Sequence, residues 1–121
     1  MSKILIIDDS MVIRKMVNKS LVDQNHETAQ AENGQEGFEL FSDGDYDLII
    51  TDINMPIMNG FELIKKIREL PKGGNVPIIV LSTEFSDDIK QQGKDLGVNA
   101  WMVKPTQDDT LNEVVTALLN R

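Results

Sequence analysis

Five polar residues stand where short hydrophobic runs end, and their side chains are the kinds that phosphoryl transfer uses. They are Asp8 and Asp9 after residues 4–7, Asp52 after residues 48–51, Ser82 after residues 78–81, and Lys104 after residues 101–103. In an open parallel α/β sheet, ligands bind outside the carboxyl ends of the strands. If these runs are such strands, they bring three carboxylates, one hydroxyl and one ammonium to a single crevice.

The three carboxylates predict a metal site. Asp8, Asp9 and Asp52 repel one another when they are close, unless a cation lies between them. A few hard oxygen ligands with positions left for water and phosphate suit Mg²⁺ better than Ca²⁺. The alternative is purely structural, with Asp8 or Asp9 capping a helix and Asp52 forming an Asx turn.

Asp52 is also a candidate nucleophile, because a carboxylate can attack phosphorus and form an aspartyl phosphate. Phosphoryl transfer needs mainly positioning and charge neutralisation. Lys104 can supply a positive charge to the transferred group, and Ser82 can donate a hydrogen bond to it. The alternatives are a strand-end lysine that reaches solvent and a serine that caps a turn.

The phosphoryl donor is expected to be another molecule. The chain has no glycine-rich phosphate loop of the P-loop type. Its single histidine, His26, has no acidic neighbour at ligand spacing and is interpreted as structural or exposed. We therefore expect a phosphoacceptor protein and not an enzyme that uses ATP.

Length and composition predict one soluble domain over residues 1–121. The net charge of −8 disfavours direct nucleic-acid binding. No apolar stretch approaches the roughly 20 residues that a membrane span needs, and the N-terminus does not resemble a signal peptide. Cysteine is absent, which excludes disulfides and thiolate metal sites. The expected location is the cytoplasm.

Strand and helix patterns alternate along the whole chain, which is typical of βαβ units and a parallel sheet. Predicted strands cover residues 3–7, 27–31, 47–51, 78–81 and 100–103. The predicted helix caps are Ser10, Asn33, Asn59, Ser86 and Thr106. The first helix is expected to have an apolar face of Met11, Ile13, Met16, Val17 and Leu21.

The fourth helix is predicted to be the least firmly packed. Ile89 and Leu96 are nearly its only large apolar residues, and Gly93 lowers its helix propensity. Trp101, the sole tryptophan, comes soon after this helix. It is either an ordinary core aromatic or part of a two-state switch with the weak helix.

Over essentially its whole length the chain resembles the receiver domain of two-component response regulators. The resemblance rests on Asp8-Asp9-Ser10, the loop over residues 52–60, Ser82, and Lys104-Pro105. It implies a doubly wound five-stranded parallel sheet of the (βα)5 flavodoxin/CheY-like type. The implied strand order, 2-1-3-4-5, is one that the residue pattern does not select by itself.

The resemblance also implies roles for individual residues. Asp52 accepts a phosphoryl group from a histidine kinase. Mg²⁺ is ligated by Asp9, Asp52 and the Asn54 carbonyl, with Asp8 acting through water. The Ser82 hydroxyl moves toward the new phosphoryl oxygens, and the Trp101 side chain then rotates inward. The Lys104-Pro105 peptide bond is cis, and the face formed by helix four, strand five and helix five changes its affinity for partners.

The stretch Ser82-Thr83-Glu84, Gly93, Gly97 and residues 101–105 is similar to chemotaxis regulators of the CheY type. This implies a stand-alone, monomeric messenger between a CheA-type kinase and a flagellar motor switch or equivalent output, with a phosphatase as a further partner. Such a protein assists only its own phosphorylation and dephosphorylation.

Several alternatives remain open from the residues alone. A phosphorelay intermediate or a phosphate sink would have the same site. A phosphorylation-independent docking module would use the fold without the chemistry. In a flavodoxin-type flavin binder, Asp8 and Asp9 would repel the flavin phosphate. An aspartyl phosphatase would need a second acid near Asp52, where the chain has Asn54.

Overall fold

The computed structural model describes residues 2–120, which form five strands and five helices in strict alternation. The strands are β1 (Lys3–Ile7), β2 (Glu27–Ala31), β3 (Leu48–Thr51), β4 (Ile78–Ser82) and β5 (Ala100–Val103). The helices are α1 (Met11–Val22), α2 (Gly34–Asp43), α3 (Gly60–Glu69), α4 (Asp87–Asp95) and α5 (Asp108–Leu119). A 3-10 turn, Pro71–Gly73, follows α3.

The strands form one parallel sheet in the order β2-β1-β3-β4-β5, which confirms the predicted fold class. Every residue of β3 and β4 is buried, as is β1 from Ile4 to Ile7. Helices cover both faces of a parallel sheet, so its central strands need apolar residues at consecutive positions. This is why the runs were recognisable in the sequence.

Each face of the sheet carries its own core. On one face, Phe41 of α2 and Ile64 of α3 pack with Leu5 and Val80 of the strands. On the other face, Leu21 of α1 and Val115 of α5 pack with Ile6, Ile79 and other strand residues. None of the helices in residues 2–120 is both long and apolar enough to cross a membrane.

The predicted apolar face of α1 was partly wrong. Val17 and Leu21 are buried and Ile13 is half-buried, but Met11 and Met16 are 59% and 51% exposed. Positions four residues apart lie on the same side of a helix. Ile13, Val17 and Leu21 therefore form the buried stripe, and the two methionines lie to either side of it.

Four of the five predicted helix caps are confirmed. The side chains of Ser10, Asn33, Asn59 and Ser86 each accept a hydrogen bond from a backbone N–H in the first turn of a helix. Thr106 is not a cap, because α5 begins at Asp108 and its N-cap is Gln107, whose side chain makes no capping hydrogen bond. Two strand bounds also shift by one residue: β3 begins at Leu48, and β4 extends to Ser82.

Gly60 places the start of α3 against the two residues that follow β3. A Cβ atom added to Gly60 would lie 2.3 Å from the backbone oxygen of Asp52 and 2.8 Å from the Cα of Ile53. Backbone cannot move aside as a flexible side chain can. We therefore expect Gly60→Ala to lower the free energy of unfolding by about 1–3 kcal/mol, the usual cost of overpacking.

Urea denaturation of Gly60→Ala beside Gly74→Ala tests this contact. Gly74 is a suitable control, because the nearest atom to a Cβ there is the Pro71 oxygen, at 3.9 Å. Equal stability of the two variants would show that the close approach at Gly60 costs nothing.

Candidate functional site

Asp8, Asp9 and Asp52 meet at the carboxyl end of the sheet. β1 and β3 are hydrogen-bonded neighbours, with Ile7 opposite Thr51, so the residues that follow the two strands lie side by side. One carboxylate oxygen from each of the three residues lies within 4.8 Å of the other two. Asp8 and Asp52 are buried, whereas Asp9 is exposed and leaves the cluster open to solvent on one side.

Backbone N–H groups hold the two buried carboxylates in place. Asp52 Oδ1 accepts a hydrogen bond of 2.6 Å from the N–H of Ile53. Asp8 Oδ1 accepts one of 2.9 Å from the N–H of Ser10. These local hydrogen bonds orient each carboxylate, and they leave its Oδ2 atom available for other partners.

Lys104 follows β5 and reaches across β4 to the acidic cluster. Its Nζ lies 2.7 Å from Asp8 Oδ2 and 2.9 Å from Asp52 Oδ2. The backbone N–H of Lys104 donates to the carbonyl of Ser82, which joins the ends of β4 and β5. The Lys104–Pro105 peptide bond is cis, as the resemblance implies. One ammonium is thus shared between two carboxylates in this structure.

Burial and charge act in opposite directions on these groups. Burial raises the pKa of the Asp8 carboxyl above its ordinary value, although hydrogen bonds from Lys104 and Ser10 lower it in part. Burial alone would lower the pKa of the Lys104 ammonium. Its hydrogen bonds and ion pairs with Asp8 and Asp52 outweigh this effect, so its pKa is above the ordinary value. Lys104 is therefore a cation at physiological pH.

The raised pKa of Asp8 predicts that its negative charge destabilises the metal-free protein. Protonated Asp8 contributes stability below its ordinary pKa, and this contribution is lost as the pH rises through the raised value. We expect Asp8→Asn to have a higher free energy of unfolding than the wild type at pH 7 in EDTA. The difference should shrink as the pH falls through the raised pKa.

Urea unfolding at several pH values measures this difference, with Asp45→Asn as a control for an exposed carboxylate outside the cluster. An Asp8→Asn protein no more stable than the wild type at pH 7 would contradict the prediction.

Ser82 is fully buried at the end of β4, and its hydroxyl is turned toward the next loop. Its Oγ accepts a hydrogen bond of 3.1 Å from the backbone N–H of Glu84. Within residues 2–120, no hydrogen bond joins Ser82 Oγ to Asp52. The structure therefore places Ser82 at the end of β4, beside the strand that Asp52 follows, and its hydroxyl is bonded to Glu84.

Glu84 joins three of the predicted site residues, although no role at the site was predicted for it. Besides its bond to Ser82, its Oε1 accepts a hydrogen bond of 3.1 Å from Asn54 Nδ2. Its backbone oxygen accepts one of 2.8 Å from the indole N–H of Trp101. We call these three hydrogen bonds the Glu84 latch.

Trp101 is half-buried beside α4. A Cβ atom added to Gly93 of α4 would lie 2.9 Å from the indole ring, so the ring packs directly on the helix where it has no side chain. The Phe61 ring lies 6.4 Å away between centroids. Gly93 is the only buried residue within Asp87–Asp95, consistent with the predicted weak packing of α4.

Arg14 of α1 is a second residue that the sequence did not point to. Its Nη1 donates a hydrogen bond of 2.6 Å to the backbone oxygen of Asp8. This bond fixes the turn that carries Asp8 and Asp9. Its only sequence signal was a position one helical turn after Ser10.

Comparison with known proteins agrees with this geometry. The family model of the response regulator receiver domain matches residues 4–116 of the chain. A chemotaxis protein CheY homolog of Campylobacter jejuni is 36% identical over 119 residues, which cover 97% of this chain and 92% of that protein. The solved structure of chemotaxis response regulator CheY4 of Vibrio cholerae is 39% identical, with 98% of each chain covered and a TM-score of 0.93.

Receiver sequences also occur within longer proteins. A gliding motility regulatory protein of Myxococcus xanthus is 32% identical over 102 residues, which cover 84% of this chain. The chain spans only 13% of the length of that relative.

Proposed function

This chain belongs to the family of response regulator receiver domains, and we propose that Asp52 is its phosphoacceptor. The observation that supports this choice is the position of its carboxylate, which lies within 4.8 Å of two other carboxylates and 2.9 Å from the Lys104 ammonium. The Asp52 oxygen attacks the phosphorus of a phosphohistidine. A new oxygen–phosphorus bond forms while the bond from phosphorus to the donor nitrogen breaks.

The donor set fits Mg²⁺. The cluster consists of hard carboxylate oxygens and is open to solvent beside Asp9, so water and a phosphoryl oxygen can fill the remaining positions. Asp9, Asp52 and the Asn54 carbonyl would hold the ion directly, and Asp8 would do so through water. When bound, Mg²⁺ neutralises negative charge on the transferred group.

Lys104 and Ser82 take part after transfer. The Lys104 ammonium exchanges a carboxylate oxygen of Asp52 for an oxygen of the phosphoryl group. The Ser82 hydroxyl leaves the Glu84 N–H and donates to another phosphoryl oxygen. Because Glu84 also holds Trp101 and Asn54, this exchange alters the Glu84 latch and allows the inward rotation of Trp101.

We further propose that the chain is a chemotaxis messenger. The CheY relatives support this role, since the Campylobacter jejuni protein is matched over 92% of its length. The phosphodonor would be a CheA-type histidine kinase, and the output partner, such as a flagellar motor switch, would bind the face formed by α4, β5 and α5. A phosphatase partner, a monomeric state and a cytoplasmic location complete this proposal.

Fluorescence of Trp101, the sole tryptophan, tests the proposal in two steps. Titration with Mg²⁺ is expected to change the emission, because Asn54 bonds to Glu84 and Glu84 bonds to the indole. Addition of beryllofluoride, which mimics the phosphoryl group, is expected to cause a second change. Asp52→Asn should lose the second change.

No response to Mg²⁺, together with no heat of binding by calorimetry, would contradict the proposed mechanism. The chain would then be a docking module with the receiver fold. A normal response to both ligands is expected for a messenger, a phosphorelay intermediate and a phosphate sink alike. Identifying the partner that binds the phosphorylated protein would then distinguish these three roles.

A further inference from the structure

Arg68, in the last turn of α3, binds acceptors from three other segments of the chain. Its hydrogen bonds are 2.7–3.4 Å long and go to the backbone oxygens of Gly73, Val76, Leu96 and Gly97 and to Asn99 Oδ1. A guanidinium has five N–H donors in a rigid fork. This one side chain therefore joins the 3-10 turn, the entry to β4, and the end of α4.

These bonds fasten the C-terminal end of α4. Carbonyl groups at the end of a helix carry partial negative charge, which a cation complements. Gly97 ends the helix with a positive φ of 83°, and a Cβ atom there would lie 3.2 Å from Arg68 Nε. Hydrogen bonds from a charged donor are about twice as strong as neutral ones. This attachment lies at the amino ends of β4 and β5, away from the acidic cluster.

The N-terminal end of α4 is attached differently. Phe85, Ser86 and Asp87 are exposed, and the segment is connected to the protein mainly through the Glu84 latch that precedes it. Each bond of the latch involves Ser82, Asn54 or Trp101. These residues belong to the proposed phosphorylation site, whereas the five acceptors named above for Arg68 do not.

We propose that Arg68 is the hinge anchor of α4, so that phosphorylation tilts the helix about its fixed C-terminal end. Loss or rearrangement of the Glu84 latch frees the N-terminal end, while the Arg68 bonds do not change. The surface beside Trp101 then moves most, and the turn over Gly97 moves least. This inference rests on the proposed function for the phosphorylation step only, because the anchor itself exists in the unphosphorylated protein.

Hydrogen exchange of individual amides, followed by NMR, tests the anchor first without any phosphoryl analogue. The reporters are Lys90 near the start of α4, and Leu96 and Val98 at its end, whose N–H groups donate to Ser86, Gln92 and Gly93 carbonyls. In Arg68→Met, we expect exchange at Leu96 and Val98 to accelerate at least about tenfold, because several charge-assisted bonds are lost.

Two further variants separate a hinge from general stabilisation. Lys65→Met removes another cation of α3, whose side chain lines a groove together with Arg68, Leu96 and Gly97. This variant should leave exchange at Leu96 within about twofold of the wild type. Arg68→Lys keeps the charge but loses the fork, so it should protect Leu96 only in part. In all variants Mg²⁺ affinity should stay unchanged, since Arg68 lies far from the carboxylates in the fold.

The second arm adds Mg²⁺ and beryllofluoride. In the wild type, exchange should change at Lys90 and stay within about twofold at Leu96 and Val98; in Arg68→Met the change should spread to these two residues. Equal changes along α4 in the wild type would overturn the hinge. The anchor would also be overturned if, in metal-free Arg68→Met, exchange at Leu96 accelerated only as much as exchange in the sheet core. That result would show a general loss of stability.

A flat response of Trp101 and of all α4 amides to beryllofluoride would overturn the proposed function and, with it, the tilting of α4. In that case the metal-free arm still decides whether Arg68 anchors the helix. The two failures are therefore distinguishable.

Discussion

Asp52→Asn is expected to abolish phosphorylation by a small donor such as acetyl phosphate while the fold is retained. An amide nitrogen or oxygen is a far weaker nucleophile toward phosphorus than a carboxylate. We expect the rate of covalent labelling to fall by at least about 100-fold. The asparagine side chain can still accept the hydrogen bond from the Ile53 N–H, so its loop should stay in place.

Labelling with radioactive acetyl phosphate, in the presence and absence of Mg²⁺, measures this effect. Asp45→Asn is the matched control, because it removes one exposed carboxylate and should leave labelling unchanged. Circular dichroism and the midpoint of urea unfolding report whether the variant folds. Full labelling of a folded Asp52→Asn protein would exclude Asp52 as the acceptor.

The second large effect is expected for Lys104→Ala, which should uncouple the site from Trp101. Its ammonium lies within 3 Å of Asp8 and Asp52, and these two carboxylates are nearly inaccessible to solvent. Removing one partner of a buried ion pair leaves charge uncompensated and typically costs about 3–5 kcal/mol. We therefore expect the metal-free variant to unfold at a clearly lower urea concentration than the wild type.

Mg²⁺ should reverse much of this loss. A divalent cation can replace the missing ammonium as the neutralising charge, so Mg²⁺ binding should be retained and should stabilise Lys104→Ala more than the wild type. Beryllofluoride, by contrast, should no longer change Trp101 fluorescence. Without Lys104, no ammonium after β5 can bind the phosphoryl analogue.

Urea unfolding with and without Mg²⁺, followed by fluorescence titration, separates these effects. Lys15→Ala on α1 is the control for loss of an exposed lysine. A Lys104→Ala protein that retained the beryllofluoride response of Trp101 would show that Lys104 does not couple phosphorylation to the α4–β5–α5 face.

The two ends of the sheet have different roles. The carboxyl ends of the strands carry a cluster of charge that is balanced by one lysine. The amino ends of β4 and β5 are tied down by Arg68. In the proposed mechanism, Arg68 holds the C-terminal end of α4, and the Glu84 latch holds its N-terminal end only before phosphorylation. Such a helix can move at one end without unfolding.

The sequence by itself determined the fold class, a parallel α/β sheet, and which residues meet in the acidic cluster. Strands covered on both faces need continuous apolar runs, which are legible in any sequence. Parallel strands also end at one edge of the sheet, so residues such as Asp8, Asp52 and Lys104, which follow those runs, had to lie together. Both arguments depend only on local pattern and on the geometry of βαβ units.

Only the tertiary structure decided how the cluster connects to the rest of the molecule. The direction of the Ser82 hydroxyl, the latch at Glu84 and the anchor at Arg68 depend on which distant backbone groups come within hydrogen-bonding distance. Arg68 finds its acceptors at Leu96 and Gly97, 28 and 29 residues along the chain. Such bonds depend on where the fold places the end of α3 relative to the segment that follows α4. No periodicity encodes this position, because a long polar side chain on a helix surface looks the same in sequence whether it reaches solvent or a carbonyl.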